Sequence, residues 1–112
     1  MQVIAHATEF TSPGTESRHW VEHLSVPDLS VGTYSIPVDG ADDQSPHTED
    51  EIYVVISGRA VLTADSGSAA VGPGSVLFVP AGEGHRFTDI TEDLTVLVVF
   101  GPAEGSRLRR PS

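Results

Sequence analysis

A chain of 112 residues is one domain by length and can enclose one core. Hydrophobic residues make up 38%, Gly (11) and Pro (8) are plentiful, and the formal charge of −10 excludes the cationic surface that nucleic acid requires. There is no Cys, which excludes disulfides and thiolate ligands.

In chain order, the first residues show no basic segment leading into an apolar one, so no signal peptide is expected. Residues 1–18 read as a polar arm with an edge strand at 1–5. Residues 19–24 alternate as a strand, with Trp20, Glu22 and Leu24 on one side. Residues 29–36 are β-branched and aromatic and stop at Pro37, a second strand. A Gly- and Asp-containing loop follows over 38–45.

Residues 51–57 form a strong strand, and Gly58-Arg59 predicts a turn into another at 60–64. Asp65-Ser66-Gly67-Ser68 predicts a hairpin turn with a return strand at 69–71. Gly72-Pro73-Gly74 turns into a strand at 75–79, ended by Pro80-Ala81-Gly82. Two more strands are expected at 85–89 and 94–100, separated by Thr91-Glu92-Asp93. Residues 19–103 form the folded domain, and 104–112, with Arg107, Arg109 and Arg110, read as a flexible tail.

Closely spaced turn signals and no sustained helical period predict an all-β fold, an antiparallel sandwich or jelly-roll barrel. The longest apolar runs, 52–56 and 96–100, are too short to cross a bilayer, so a cytoplasmic protein without a membrane partner is expected. Residues 52–56 are apolar at both parities. One face would line the interior, and the other would meet a second sheet or a second subunit, which predicts a homodimer.

Side chains alternate along a strand. An extended chain puts His47, Glu49, Glu51 and Tyr53 on one face, and His85, Phe87 and Asp89 on another. A lone His beside a turn is ordinarily a surface residue, and an acidic run such as Glu49-Asp50-Glu51 is ordinarily solvated. Glu51, however, heads an apolar strand, where an unpaired acid is costly. If the two segments are neighbours, His47, Glu51 and His85 converge on a divalent Mn, Fe, Ni, Co or Zn and leave positions open for a small-molecule ligand. His6, His19 and His23 fit neither segment. No nucleophile triad or phosphate-cradling loop is present.

These segments resemble the cupin superfamily, specifically its small single-domain members. The family's second motif, G-x5-P-x-G-x2-H-x3-N, is met by Gly74, Pro80, Gly82 and His85, with Asp89 in place of Asn. In the first, G-x5-H-x-H-x3,4-E-x6-G, Gly40, Glu51 and Gly58 correspond, but one His is missing. Either His47 is the second His and Ser45 replaces the first, or His47 is the first and Glu49 replaces the second. Both alignments keep His47, Glu51 and His85.

The resemblance implies a β-barrel, often dimeric, with a metal held inside it by His47, Glu49, Glu51 and His85. Tyr34, Tyr53 and Phe87 are the expected pocket walls. It leaves two functions open. One is a metal-dependent dioxygenase, isomerase or decarboxylase. The other is a non-catalytic binding or sensing module with a partial or vestigial metal site.

Overall fold

The computed structural model describes residues 1–38, 40–42 and 46–107. Among them run six strands: β1 (His19–Val26), β2 (Leu29–Ile36), β3 (Asp50–Ala64), β4 (Gly67–Val71), β5 (Val76–Val79) and β6 (His85–Gly101). All pairings are antiparallel, in the order β1-β2-β6-β3-β4, with β5 also on β3. The fold is all-β, as expected. No helix in the described residues is long and apolar enough to cross a membrane.

Two expected breaks are absent. Residues 51–64 are one strand rather than two joined by a turn at Gly58-Arg59, and residues 85–101 are likewise one strand. The turn residues are instead bulges. The β3–β6 register shifts between Val55 and Ser57, between Ser57 and Arg59, and between Arg59 and Val61. Gly58 has φ +91°, and a Cβ there would lie 2.2 Å from the Asp93 carbonyl oxygen. Glycine therefore lets the two backbones pass close at the bulge.

The bulges switch parity. Glu51, Tyr53 and Val55 point inward before Gly58, whereas Ala60 and Leu62 do so after it. In β6, His85 and Phe87 are buried before the bend, then Leu94, Val96, Val98 and Phe100. Asp89, at φ 48°, sits at that change.

This bend closes the molecule. His85 pairs with Ala64 at one end of the β3–β6 ladder, and Glu51 pairs with Phe100 at the other. On a flat strand those ends would stand about 43 Å apart. Here the His85 and Glu51 side chains touch at 2.6 Å. The ribbon has folded over, so that its two halves face each other across a core of Tyr34, Ile36, Tyr53, Phe87, Leu94 and Phe100 among others. Strands β5, β2 and β1 widen one half, and β4 the other.

Two further expectations change. Residues 1–5 form no strand; the arm is tied to β2 through side chains instead, with Thr11 N–H donating to Ser35 Oγ (3.1 Å) and Thr33 Oγ1 to the Ala7 carbonyl. Residues 103–107 are docked on the domain: Ala103 is buried, and Glu104 N–H donates to Ser30 Oγ at 2.8 Å. Arg109 and Arg110 of the expected tail lie outside the described residues. The outer side of β3 is only partly covered among the described residues, since Ile52 is 40% exposed and Val54 and Ile56 are half-buried.

Candidate metal centre

Folding the ribbon brings three donors together. His47 lies just before β3, Glu51 is the second residue of β3, and His85 is the first of β6. One donor atom from each lies within 4.8 Å of the other two. Two ligand atoms on one ion sit at most about 4.4 Å apart, so only a slight contraction is needed.

The turn at residues 80–82 sets this arrangement. Gly82, at φ +82°, aims its N–H at the His47 carbonyl (2.8 Å), and Ala81 N–H donates to Asp50 Oδ1 (2.9 Å). The two motifs are thus joined by hydrogen bonds on either side of the donors. The His47 ring packs edge-on against Phe100, with centroids 4.8 Å apart, and lies 5.8 Å from the His85 ring.

The protonation logic at His85 carries the chemistry. Its Nδ1 is 2.8 Å from the Glu83 carbonyl oxygen, which can only accept, so Nδ1 carries a proton. In neutral imidazole Nε2 then presents a lone pair. It faces the Tyr53 hydroxyl at 2.9 Å and Glu51 Oε1 at 2.6 Å. Glu51 is buried, and apart from that nitrogen neither carboxylate oxygen has a hydrogen-bond partner among the described residues. At 2.6 Å the two groups share a proton in the metal-free chain, and an ion held by both would need them to part to about 3 Å. Burial alone would depress the His85 imidazole. Glu51, with the Glu83 carbonyl and Asp42, outweighs it and holds the ring above its ordinary value in the metal-free chain.

Glu49 is not in this group. Its buried carboxylate accepts from Gly105 N–H (2.8 Å), Arg107 N–H (3.2 Å) and Thr48 Oγ1. Burial would raise its pKa, but these donors and His47 lower it below the usual carboxylate value. The side chain expected to replace a motif His instead clamps the C-terminal segment. Ser45, the other expected replacement, lies outside the described residues.

Of the three expected pocket walls, Tyr53 reaches the centre through its hydroxyl. Phe87 packs against the Tyr53 ring at 5.0 Å as core. Tyr34 lies in a separate buried network, its hydroxyl donating to Asp42 Oδ1 (2.8 Å) and accepting from Arg18 (2.9 Å). Asp42 also accepts from Phe87 N–H at 2.7 Å, which fixes the start of β6 behind His85. A groove of about 260 Å³ is lined by Leu29, Asp50, Glu51, Ile52, Phe78, Val99, Phe100 and Gly101.

Sequence reasoning missed Asp42 and Glu104. Glu104 Oε2 comes within 3.6 Å of His47 Nδ1. Burial raises the Glu104 pKa; His47 opposes this, while the carboxylates of Glu22, Glu51 and Glu49 add to it. Nothing in the motif spacing marks either residue.

Comparison with known proteins supports this fold. The family model described as Cupin domain matches residues 32–100, from β2 to the end of the β6 core. An uncharacterized protein of Streptomyces coelicolor, SCO3923, is 46% identical over 85 residues, covering 76% of this chain and 81% of that one. A conserved Klebsiella pneumoniae protein with a double-stranded β-helix domain superposes with a TM-score of 0.77 at 17% identity, over 91% of each chain. KdgF from Halomonas sp. gives a TM-score of 0.72 at 19% identity, over 88% of this chain and 90% of its own. At such identities the two structures speak for the fold alone.

Proposed function

Because the chain belongs to the cupin family, we propose that it holds a divalent transition metal through His47, Glu51 and His85 and presents it to a small molecule. The supporting observation is the convergence of one donor atom each from His47, Glu51 and His85 within 4.8 Å, Glu51 and His85 being the closest pair, with the other His85 nitrogen already committed to a carbonyl. Two imidazoles and a carboxylate suit Mn, Fe(II), Co, Ni or Zn. Bound there, such an ion supplies Lewis acidity toward a ligand's oxygen atoms.

The protein's own groups have defined parts in this reading. The Glu83 carbonyl fixes the His85 tautomer, so that Nε2 faces the donor set. Phe100 holds the His47 ring by its edge. The Tyr53 hydroxyl stands 2.9 Å from His85 Nε2, beside the donor set, where it would face a ligand held there. Dioxygenase, isomerase and decarboxylase chemistry all begin with such a bound oxygen ligand.

A second reading rests on the same pair. A proton between Glu51 and His85 satisfies both groups, so a metal-free binding module is self-consistent. Metal analysis of untagged protein, with uptake of Mn(II), Co(II) and Ni(II), separates the two. We expect about one ion per chain, a proton released on uptake, and loss of uptake in His85→Ala. Less than about 0.1 ion per chain with no uptake would overturn the metal reading. We further propose that the exposed outer side of β3 and β5 pairs with a second copy of the chain.

A further inference from the structure

Residues 103–107 follow β6 and are held by the domain on both sides. Glu104 N–H donates to Ser30 Oγ at 2.8 Å, Gly105 N–H to Glu49 Oε1 at 2.8 Å, and Arg107 N–H to Glu49 Oε2 at 3.2 Å. Arg107 Nη1 reaches the Thr48 carbonyl at 3.1 Å, and Ala103 N–H the Pro27 carbonyl at 3.4 Å. The segment is anchored on both sides of Glu104, to β2 behind it and to the His47–Glu49 stretch ahead. Its backbone is therefore set before the Glu104 side chain makes any contact.

That side chain is aimed at His47, with Oε2 3.6 Å from Nδ1, a few tenths of an ångström beyond a hydrogen bond. The imidazole has two nitrogens. If Nδ1–H is directed to Glu104, Nε2 is the one left to carry a lone pair toward Glu51 and His85. A carboxylate behind a ligating imidazole fixes its tautomer and ring orientation and raises its basicity. Glu49 cannot serve in this way, because its carboxylate is occupied by two backbone N–H groups and the Thr48 hydroxyl.

We propose that Glu104, carried by the C-terminal segment, is the positioning residue for His47: it holds Nδ1–H and leaves Nε2 as the metal-binding atom. Glu104 lies beyond both recognisable motifs and beyond the matched residues 32–100. In this arrangement the last described turn completes a centre whose donors lie in and just before β3 and at the start of β6. The inference rests on the metal reading of His47, Glu51 and His85.

The test uses the full chain and Co(II) alone, with affinity measured by competition against a chromophoric chelator. The variants are Glu104→Ala, Glu104→Gln and Glu104→Asp. Glu92→Gln, at an exposed Arg59 partner, controls for the change in net charge. Glu104→Ala is expected to weaken Co(II) binding 10- to 100-fold, roughly the range for lost outer carboxylates. Glu104→Gln, which accepts a hydrogen bond without charge and keeps the segment's backbone contacts, is expected to fall between, and Glu104→Asp to recover part of the loss.

Nitrogen-15 NMR of the metal-free protein supplies a readout that a purely structural role would not move. His47 should be protonated at Nδ1 in the wild type, and should lose that preference in Glu104→Ala and not in Glu92→Gln. Co(II) uptake by the wild type that Glu104→Ala leaves within about twofold, with the His47 tautomer unchanged, overturns this inference alone. Absence of Co(II) uptake by the wild type overturns the metal reading and this inference with it.

Discussion

Tyr34 and Tyr53 differ by what their hydroxyls meet. Tyr53 meets an imidazole nitrogen, Tyr34 a carboxylate and a guanidinium. Burial, and after it the Asp42 charge, push the Tyr34 phenol well above its ordinary value, against the pull of Arg18. A folded-state pKa above the unfolded one means that the contribution to stability is fully present below about pH 10 and is lost as pH climbs toward the folded value. Alkaline titration at 295 nm should show Tyr34 ionising only as the fold is lost, and Tyr34→Phe should flatten the stability decline above pH 10. A Tyr34 that titrates near 10 in folded protein would contradict this network. The sequence offers Tyr34 as a pocket wall, but no local signal pairs it with Asp42, eight positions away across a loop.

Among the elements, β3 and β6 carry both the architecture and the error in reading it. Gly58-Arg59 and Thr91-Glu92-Asp93 carry turn chemistry, yet each strand runs through them. A bulge and a turn both want positive φ and a missing side chain, so composition alone does not tell them apart. The flanking alternation was legible because each half-strand keeps its own parity, and the switch between halves is the bulge itself. Gly58→Ala puts a Cβ 2.2 Å from the Asp93 carbonyl oxygen at φ +91°. It should cost at least about 2 kcal/mol in urea-induced unfolding. Gly67→Ala, at a hairpin where a Cβ meets nothing within 4 Å, should cost less. Equal losses would mean that the bulge is not the constraint.

For the whole molecule, one face is left unfinished. Phe78 pairs in register with Ile52, and Ile52 with Val99, so these side chains form a row across β5, β3 and β6. Phe78 is 63% exposed, Val76 66% and Ile52 40%, on a chain whose formal charge is otherwise −10. Stable pairs bury about 800 Å² per partner, and an apolar row of this kind is a usual centre for such a patch. Sedimentation velocity should therefore give a dimer of the 11.8 kDa chain. Phe78→Asp should shift it to monomer without loss of β-sheet circular dichroism. A wild-type monomer at micromolar concentration would remove the proposal. The double-sided apolar character of residues 52–56 was visible in the sequence. The docking of residues 103–107 was not, because it depends on backbone N–H groups meeting Glu49, which no residue type announces.

The ribbon that folds over until Glu51 meets His85 also fixes where this chain can change in length. Glu51 and His85 stand at opposite ends of one ladder, so the residue count from 51 to 64 and from 85 to 100 works as a ruler. One residue added to either strand reverses the facing of everything beyond it and carries a donor out of reach of its partner. The hairpin turn at Asp65 and Ser66 lies off that ruler and can absorb insertions. Relatives that keep the His–Glu pair should vary in length at this turn and hold the two long strands constant.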